Sequence, residues 1–138
     1  MRILLLFLLL LAASTLHATE ASPVLQAYVK VGTDLATDNL EAAKKDAASL
    51  AAKAKEFDRD DLATEATAIA ESDSISKARE SFKSLSKSVI PLAKGATGFY
   101  VMTCMMTRDG DWVQFGPQVA NPYFGKAMPN CGVIKKGE

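Results

Sequence analysis

Apart from Met1, every sulfur atom of the 138-residue chain lies between residues 99 and 133, in Met102, Cys104, Met105, Met106, Met128 and Cys131. Thiolates and thioethers are soft donors that favour Cu(I) or Ag(I) over hard divalent ions, whereas zinc sites more often combine Cys with His. The single histidine, His17, stands near the N-terminus. Met102, Cys104 and Met106 would share one side of an extended strand, with Met105 on the other, and Met128 and Cys131 stand three apart, so up to three thioethers and two thiols would converge as a soft-metal donor set. A site with few thiolates and several neutral thioethers holds metal less tightly than an all-thiolate site and suits handing metal on. The same two cysteines also suit a disulfide. It would close a loop of about 27 residues and contribute roughly 3 to 4 kcal/mol by loop-closure entropy. A disulfide consumes both thiols and leaves only methionines for metal. Methionine is moreover a common gap-filler beside aromatic rings, and six of the ten aromatic residues share this stretch. Both alternatives stand at this level.

The N-terminus bears on which alternative applies. Arg2, an unbroken apolar run over residues 3–13 and a small, polar stretch after it read as a secretory signal peptide over residues 1–18, cleaved after Ala18 or, as second choice, after Ala21. The apolar run is shorter than the ~20 residues a helix needs to cross a bilayer. The expected product is an exported protein, periplasmic or secreted, with no stable membrane span after cleavage. Cleavage removes Arg2 and His17. The mature chain, residues 19–138, then carries a net charge near −1, since it keeps 15 of the 16 basic and all 16 acidic residues. No nucleic-acid partner is implied, because phosphate binding needs clustered excess Lys and Arg. With neither a histidine base nor a glycine-rich phosphate loop, no nucleophile and base pair can be nominated, and an enzyme is not expected. Export would place the cysteines in an oxidising compartment.

The elements that must position these sulfurs are mostly helical. Val24, Tyr28, Val31 and Leu35 recur at helical spacing after Pro23, which suits a first turn. Asp38 and Glu41 form a capping box for a second helix with a stripe of Leu40, Ala43, Ala47, Leu50, Ala54 and Phe57. Asp58 and Asp61 mark a third start, with Leu62, Ala66 and Ile69 on its apolar side. Ser74 caps a fourth helix with Ile75, Ala78, Phe82, Leu85, Val89 and Leu92 as its seam, ending near Pro91 and Gly95. Acidic residues crowd residues 56–73 and basic ones residues 77–94, so the third and fourth helices would suit antiparallel neighbours, although solvated faces explain the charges as well. The period then changes. Residues 99–103 and 112–115 read as strands around a turn at 108–111. Alternation along the first strand would put Met102, Cys104 and Met106 on one side. The expected fold is mainly α: one four-helix bundle-like domain with a short C-terminal β-hairpin and loop module over about residues 99–134.

The Asn121-Pro122-Tyr123-Phe124-Gly125 run reads as a structural turn, with Tyr123 and Phe124 plugging the bundle end and Gly125 at positive φ; Trp112 belongs to the same structural motif. Together with Phe99-Tyr100, Cys104-x-Met106, Asp109-Gly110-Asp111-Trp112, Met128 and Cys131-Gly132, this order resembles the domain of unknown function that accompanies periplasmic adaptor subunits of heavy-metal (copper and silver) efflux systems. Tyr28, the alanine-rich second helix and the Arg79-x-x-Phe82-x-x-Leu85-Ser86 segment are similar too. The resemblance implies a helical bundle with a Cys- and Met-bearing tail, Cu(I) or Ag(I) as ligand at Cys104, Met106, Met128 and Cys131, and an efflux adaptor or other periplasmic metal-handling protein as partner. One departure is Met105, which stands where the family usually has Pro. A looser loop or an extra sulfur ligand would follow.

Overall fold

The computed structural model describes residues 17–136. The apolar run of the expected signal peptide lies outside the described residues. Four helices follow one another: α1 (His17–Ala36), α2 (Leu40–Glu56), α3 (Asp60–Ala70) and α4 (Ile75–Ala93). A three-stranded antiparallel sheet, in the order β2-β1-β3, is built from β1 (Phe99–Thr103), β2 (Asp111–Phe115) and β3 (Val133–Ile134). Each helix packs on the next, α4 returns to α1, and the sheet rests on α1 and α4. No helix among the described residues is long and apolar enough to cross a membrane.

The bundle follows its apolar period. Val24, Tyr28, Val31 and Leu35 of α1, Leu50 of α2, Leu62 and Ile69 of α3, and Phe82, Leu85 and Val89 of α4 are all buried. Ala43, Ala47, Ala54, Ala63 and Ala66 are buried with them, and such small side chains let α2 and α3 approach closely. Gly32, an unfavourable residue for a helix interior, has a packing reason. A Cβ there would lie 3.1 Å from Phe82 Cζ, on the ring that stacks against Tyr28 with centroids 4.8 Å apart.

The helix starts differ from the sequence reading in detail. Pro23 lies inside α1, not in its first turn, because the helix already runs from His17. Asp38 does not cap α2. It takes the left-handed conformation, φ 60°, and the cap is Asn39, whose side chain accepts from the Ala42 amide. The Asp38 carboxylate is engaged elsewhere, by Arg79 Nη2 at 2.6 Å and the Lys126 amide at 3.3 Å. Asp58 is likewise left-handed, with Arg59 as the residue before α3, a conformation that Asp tolerates better than most side chains. Ser74 does cap α4, and Gly95 follows it at φ 78°. The lysines of α4 do not pair with α3. Lys77 meets Asp73, Lys83 meets Glu80 and Lys87 reaches Asp109 of the hairpin.

Candidate functional site

The C-terminal module begins where β1 stops. Strand β1 pairs with β2 from Phe99 opposite Phe115 to Thr103 opposite Asp111. The Cys104 amide then donates to the Gly110 carbonyl at 2.9 Å and closes a loop. Side-chain alternation therefore ends at Thr103, and the expected row of Met102, Cys104 and Met106 does not form. Met102 is fully buried in the core, Cys104 is 2% exposed, and Met105 and Met106 stand out at 91% and 67% exposure. The loop is held from α4: Lys83 Nζ donates to Thr107 Oγ1 at 3.0 Å and Lys87 Nζ to Asp109 Oδ2 at 3.1 Å.

Cys104 and Cys131 are joined in a disulfide, with Cα atoms 5.7 Å apart. Both thiols are thereby consumed, so the set Cys104, Met106, Met128 and Cys131 does not offer four donors in this form. Met128 follows a single 3₁₀ turn, Gly125–Ala127, and its carbonyl accepts from the Cys131 amide at 3.2 Å. Among the described residues no group of three or more His, Cys, Asp or Glu is placed to hold a metal ion. The sulfur atoms free of the bond that face solvent are thioethers, chiefly those of Met105 and Met106.

Around the disulfide a few polar side chains do most of the organising. Asn121 is fully buried. Its Oδ1 accepts from the Tyr123 and Phe124 amides at 2.8 and 3.1 Å, and its Nδ2 donates to the Cys131 carbonyl at 2.6 Å. The asparagine thus shapes the turn and ties it to the disulfide. Tyr123 packs between the helices and the hairpin. Its ring lies edge-on to Trp112 at 5.9 Å and 6.0 Å from Phe82, and its hydroxyl donates to the Asp111 carbonyl at 2.5 Å. Lys83 Nζ lies 5.7 Å from the centre of the same ring, near enough for a cation–π contact. Tyr28 continues the network from α1, with its hydroxyl 2.6 Å from Ser86 Oγ and accepting from the Val113 amide at 3.3 Å. Burial raises the pKa of both tyrosines, so both hydroxyls stay protonated and serve as donors. Gly125, at φ 53°, leaves no room for a side chain, since a Cβ would collide with the Asp38 carboxylate and the Arg79 guanidinium.

Three residues in this network were not nominated from the sequence. Arg79, which there only carried the resemblance, donates to the Pro122 and Leu35 carbonyls and to Asp38. It locks the end of α1 to the Asn121 turn, and its hydrogen bond is the main reason the Asp38 carboxyl sits below its ordinary value. Gln114 is 6% exposed; its Oε1 accepts from Trp112 Nε1 and the Ala120 amide, and its Nε2 donates to the Gly116 and Gln118 carbonyls. Its position two residues after Trp112, on the same face of a strand, was the available signal. Asp111 accepts from Lys135 Nζ at 2.8 Å. Burial works to raise its pKa, but hydrogen bonds from Lys135 and Thr103 outweigh burial and lower it.

Neither curated proteins nor solved structures gave a match to the chain. A family model does match, over residues 24–98, which is more than half of the chain and covers the four-helix bundle up to the foot of β1. The chain belongs to that family, described as a protein of unknown function (DUF3347).

Proposed function

We propose that this is an exported, disulfide-stapled interaction domain that serves a heavy-metal efflux or homeostasis system. The observation that carries the interaction reading is the contrast within one module. The disulfide and a dense polar network fix its backbone, while Met105, Met106, Phe115, Val133 and Ile134 remain exposed at its surface. Rigid presentation of large apolar side chains favours docking, because little conformational entropy is lost on binding. The link to metal handling and export rests on the resemblance of the C-terminal motif to the domain that accompanies efflux adaptors and on the signal-like N-terminus. A photo-crosslinking amino acid at position 115, placed in the exporting cell, tests the reading. A discrete adduct with a metal-handling envelope protein is expected, and absence of any adduct at positions 105, 115 and 134 alike would sink it.

A second reading is supported by the exposure of Met105 and Met106. Two adjacent thioethers on a loop tip, with Met128 half-buried beyond the disulfide, form a weak soft-metal site for Cu(I) or Ag(I). Competition against a chromophoric Cu(I) chelator tests it. Under this reading the oxidised protein withdraws copper and a Met105→Leu/Met106→Leu variant does not; equal behaviour of the two proteins refutes it.

A further inference from the structure

The segment after β2 is held by two unlike sets of contacts. Residues 118–126 are anchored without any help from the disulfide. Gln114 binds the Gln118 carbonyl at 2.6 Å and the Ala120 amide at 3.2 Å, Arg79 binds the Pro122 carbonyl at 2.8 Å, Tyr123 is buried against Trp112, and Asp38 binds the Lys126 amide. Residues 127–136 are held far more thinly. Asn121 contributes a hydrogen bond to the Cys131 carbonyl and another from its own amide to the Pro129 carbonyl at 3.3 Å. Strand β3 pairs only Val133 with Thr103 and Ile134 with Met102, and the Lys135 amide donates to the Val101 carbonyl at 2.8 Å. Val133 and Ile134 are 62% and 43% exposed, so the pairing buries little apolar surface. Lys135 to Asp111 is a partly exposed ion pair, a kind worth little. The one covalent hold is Cys131 to Cys104, and Cys104 sits at the base of a loop that Lys83 and Lys87 fix independently.

This stretch covers something. A Cβ built on Gly132 would lie 2.6 Å from Trp112 Cη2 and 3.2 Å from Val119 Cγ1, so the Gly132 backbone lies directly on the edge of the indole. Trp112 is 1% exposed.

We infer that the Cys104–Cys131 bond is a redox clasp: it holds residues 127–136 as a strap across Trp112, and its reduction releases the strap while the bundle, the hairpin and residues 118–126 stay folded. Cys131 is half-buried and Cys104 buried, which makes Cys131 the accessible end. A thiolate of a dithiol reductant attacks the Cys131 sulfur, the S–S bond breaks and Cys104 leaves as a thiolate that takes up a proton. The reductant's second thiolate then resolves the mixed disulfide. The products are two thiols on this chain and one disulfide on the reductant. Without the cross-link, the few hydrogen bonds of the strap do not offset the conformational entropy of ordering it. The inference rests on the placement of the disulfide and not on the docking or metal readings.

Amide hydrogen exchange of the mature protein before and after dithiothreitol tests it, alongside acrylamide quenching of Trp112, the only tryptophan. On reduction, exchange in residues 130–136 is expected to accelerate at least tenfold, with residues 118–126 and the helices unchanged and the Trp112 quenching constant at least doubled. Cys131→Ser should show the released pattern without reductant; if that variant fails to fold, the reduced wild-type protein decides alone. Unchanged exchange in residues 130–136, or loosening of residues 118–126 together with them, overturns the clasp.

Discussion

The helical bundle and the C-terminal module reach stability by opposite routes. In the bundle, buried Leu, Ala, Val and Phe side chains repeat along four helices, and each large apolar side chain contributes about 2 kcal/mol. No single one defines the fold. In the module, Asn121, Gln114 and Tyr123 each satisfy backbone groups from different segments, and one disulfide closes the end. Stability that is spread over many contacts tolerates change at each; stability concentrated in a few polar residues does not, because each loss strands buried partners. The two regions meet at Phe82, which stacks on Tyr28 and contacts the Tyr123 ring.

That contrast can be broken most forcefully at the junction. Phe82→Ala should cost about 4 kcal/mol and lower the denaturant midpoint of bundle and module together; a loss confined to one region would mean the two are not packed as one core. Next in size, Asn121→Ala should cost about 3 kcal/mol by leaving the Tyr123 and Phe124 amides and the Cys131 carbonyl without their partner. Near-ultraviolet circular dichroism of Trp112 should report its loss while the helical signal keeps its amplitude in buffer. Tyr123→Phe removes the hydroxyl that serves the Asp111 carbonyl and should cost about 1.5 kcal/mol in urea unfolding. A neutral result there would show that the aromatic packing alone carries the site.

The smallest expected effect is in the bundle and depends on pH. Asp34 Oδ2 is shut away from solvent without a partner of its own beside Asp46. Burial first, and Asp46 second, raise its pKa from 3.8 to about 6, against the opposing pull of Lys30. The folded state thus binds the proton more tightly than the unfolded chain, so this contribution is fully present at low pH and is lost as pH rises from about 4 to about 6. Asp34→Asn should therefore gain about 1 kcal/mol over the parent at pH 8, allowing for solvent screening, and nothing at pH 4. An equal gain at both values would dissociate the effect from the carboxyl.

The two regions also differ in how far the sequence alone discloses them. Helical periodicity located all four helices, because repeated burial on one face leaves a repeated pattern. Their starts were misplaced where a distant residue intervened: Asp38 reads as a cap until Arg79, 41 positions away, takes its carboxylate. The hairpin was legible, but its end was not. The period-2 pattern gives no sign that the Cys104–Gly110 hydrogen bond closes a loop and turns Met105 and Met106 outward. Strand β3 was invisible, being two exposed residues held by pairing and not by burial. Gln114 acts through hydrogen bonds to partners two to six residues away and Arg79 through three long-range ones, and neither set leaves a periodic trace. The resemblance placed its most specific motif in the module, whereas the family match covers residues 24–98 and so rests on the helices.

Staple, clasp and metal site all depend on the state of Cys104 and Cys131. Intact-mass measurement of the native protein, alkylated in denaturant without reductant and again after reduction, tests that state most directly. No alkyl group before reduction and two after it are predicted. Two alkyl groups without reductant would contradict the staple and the clasp together, and would return both thiols to the metal-binding reading.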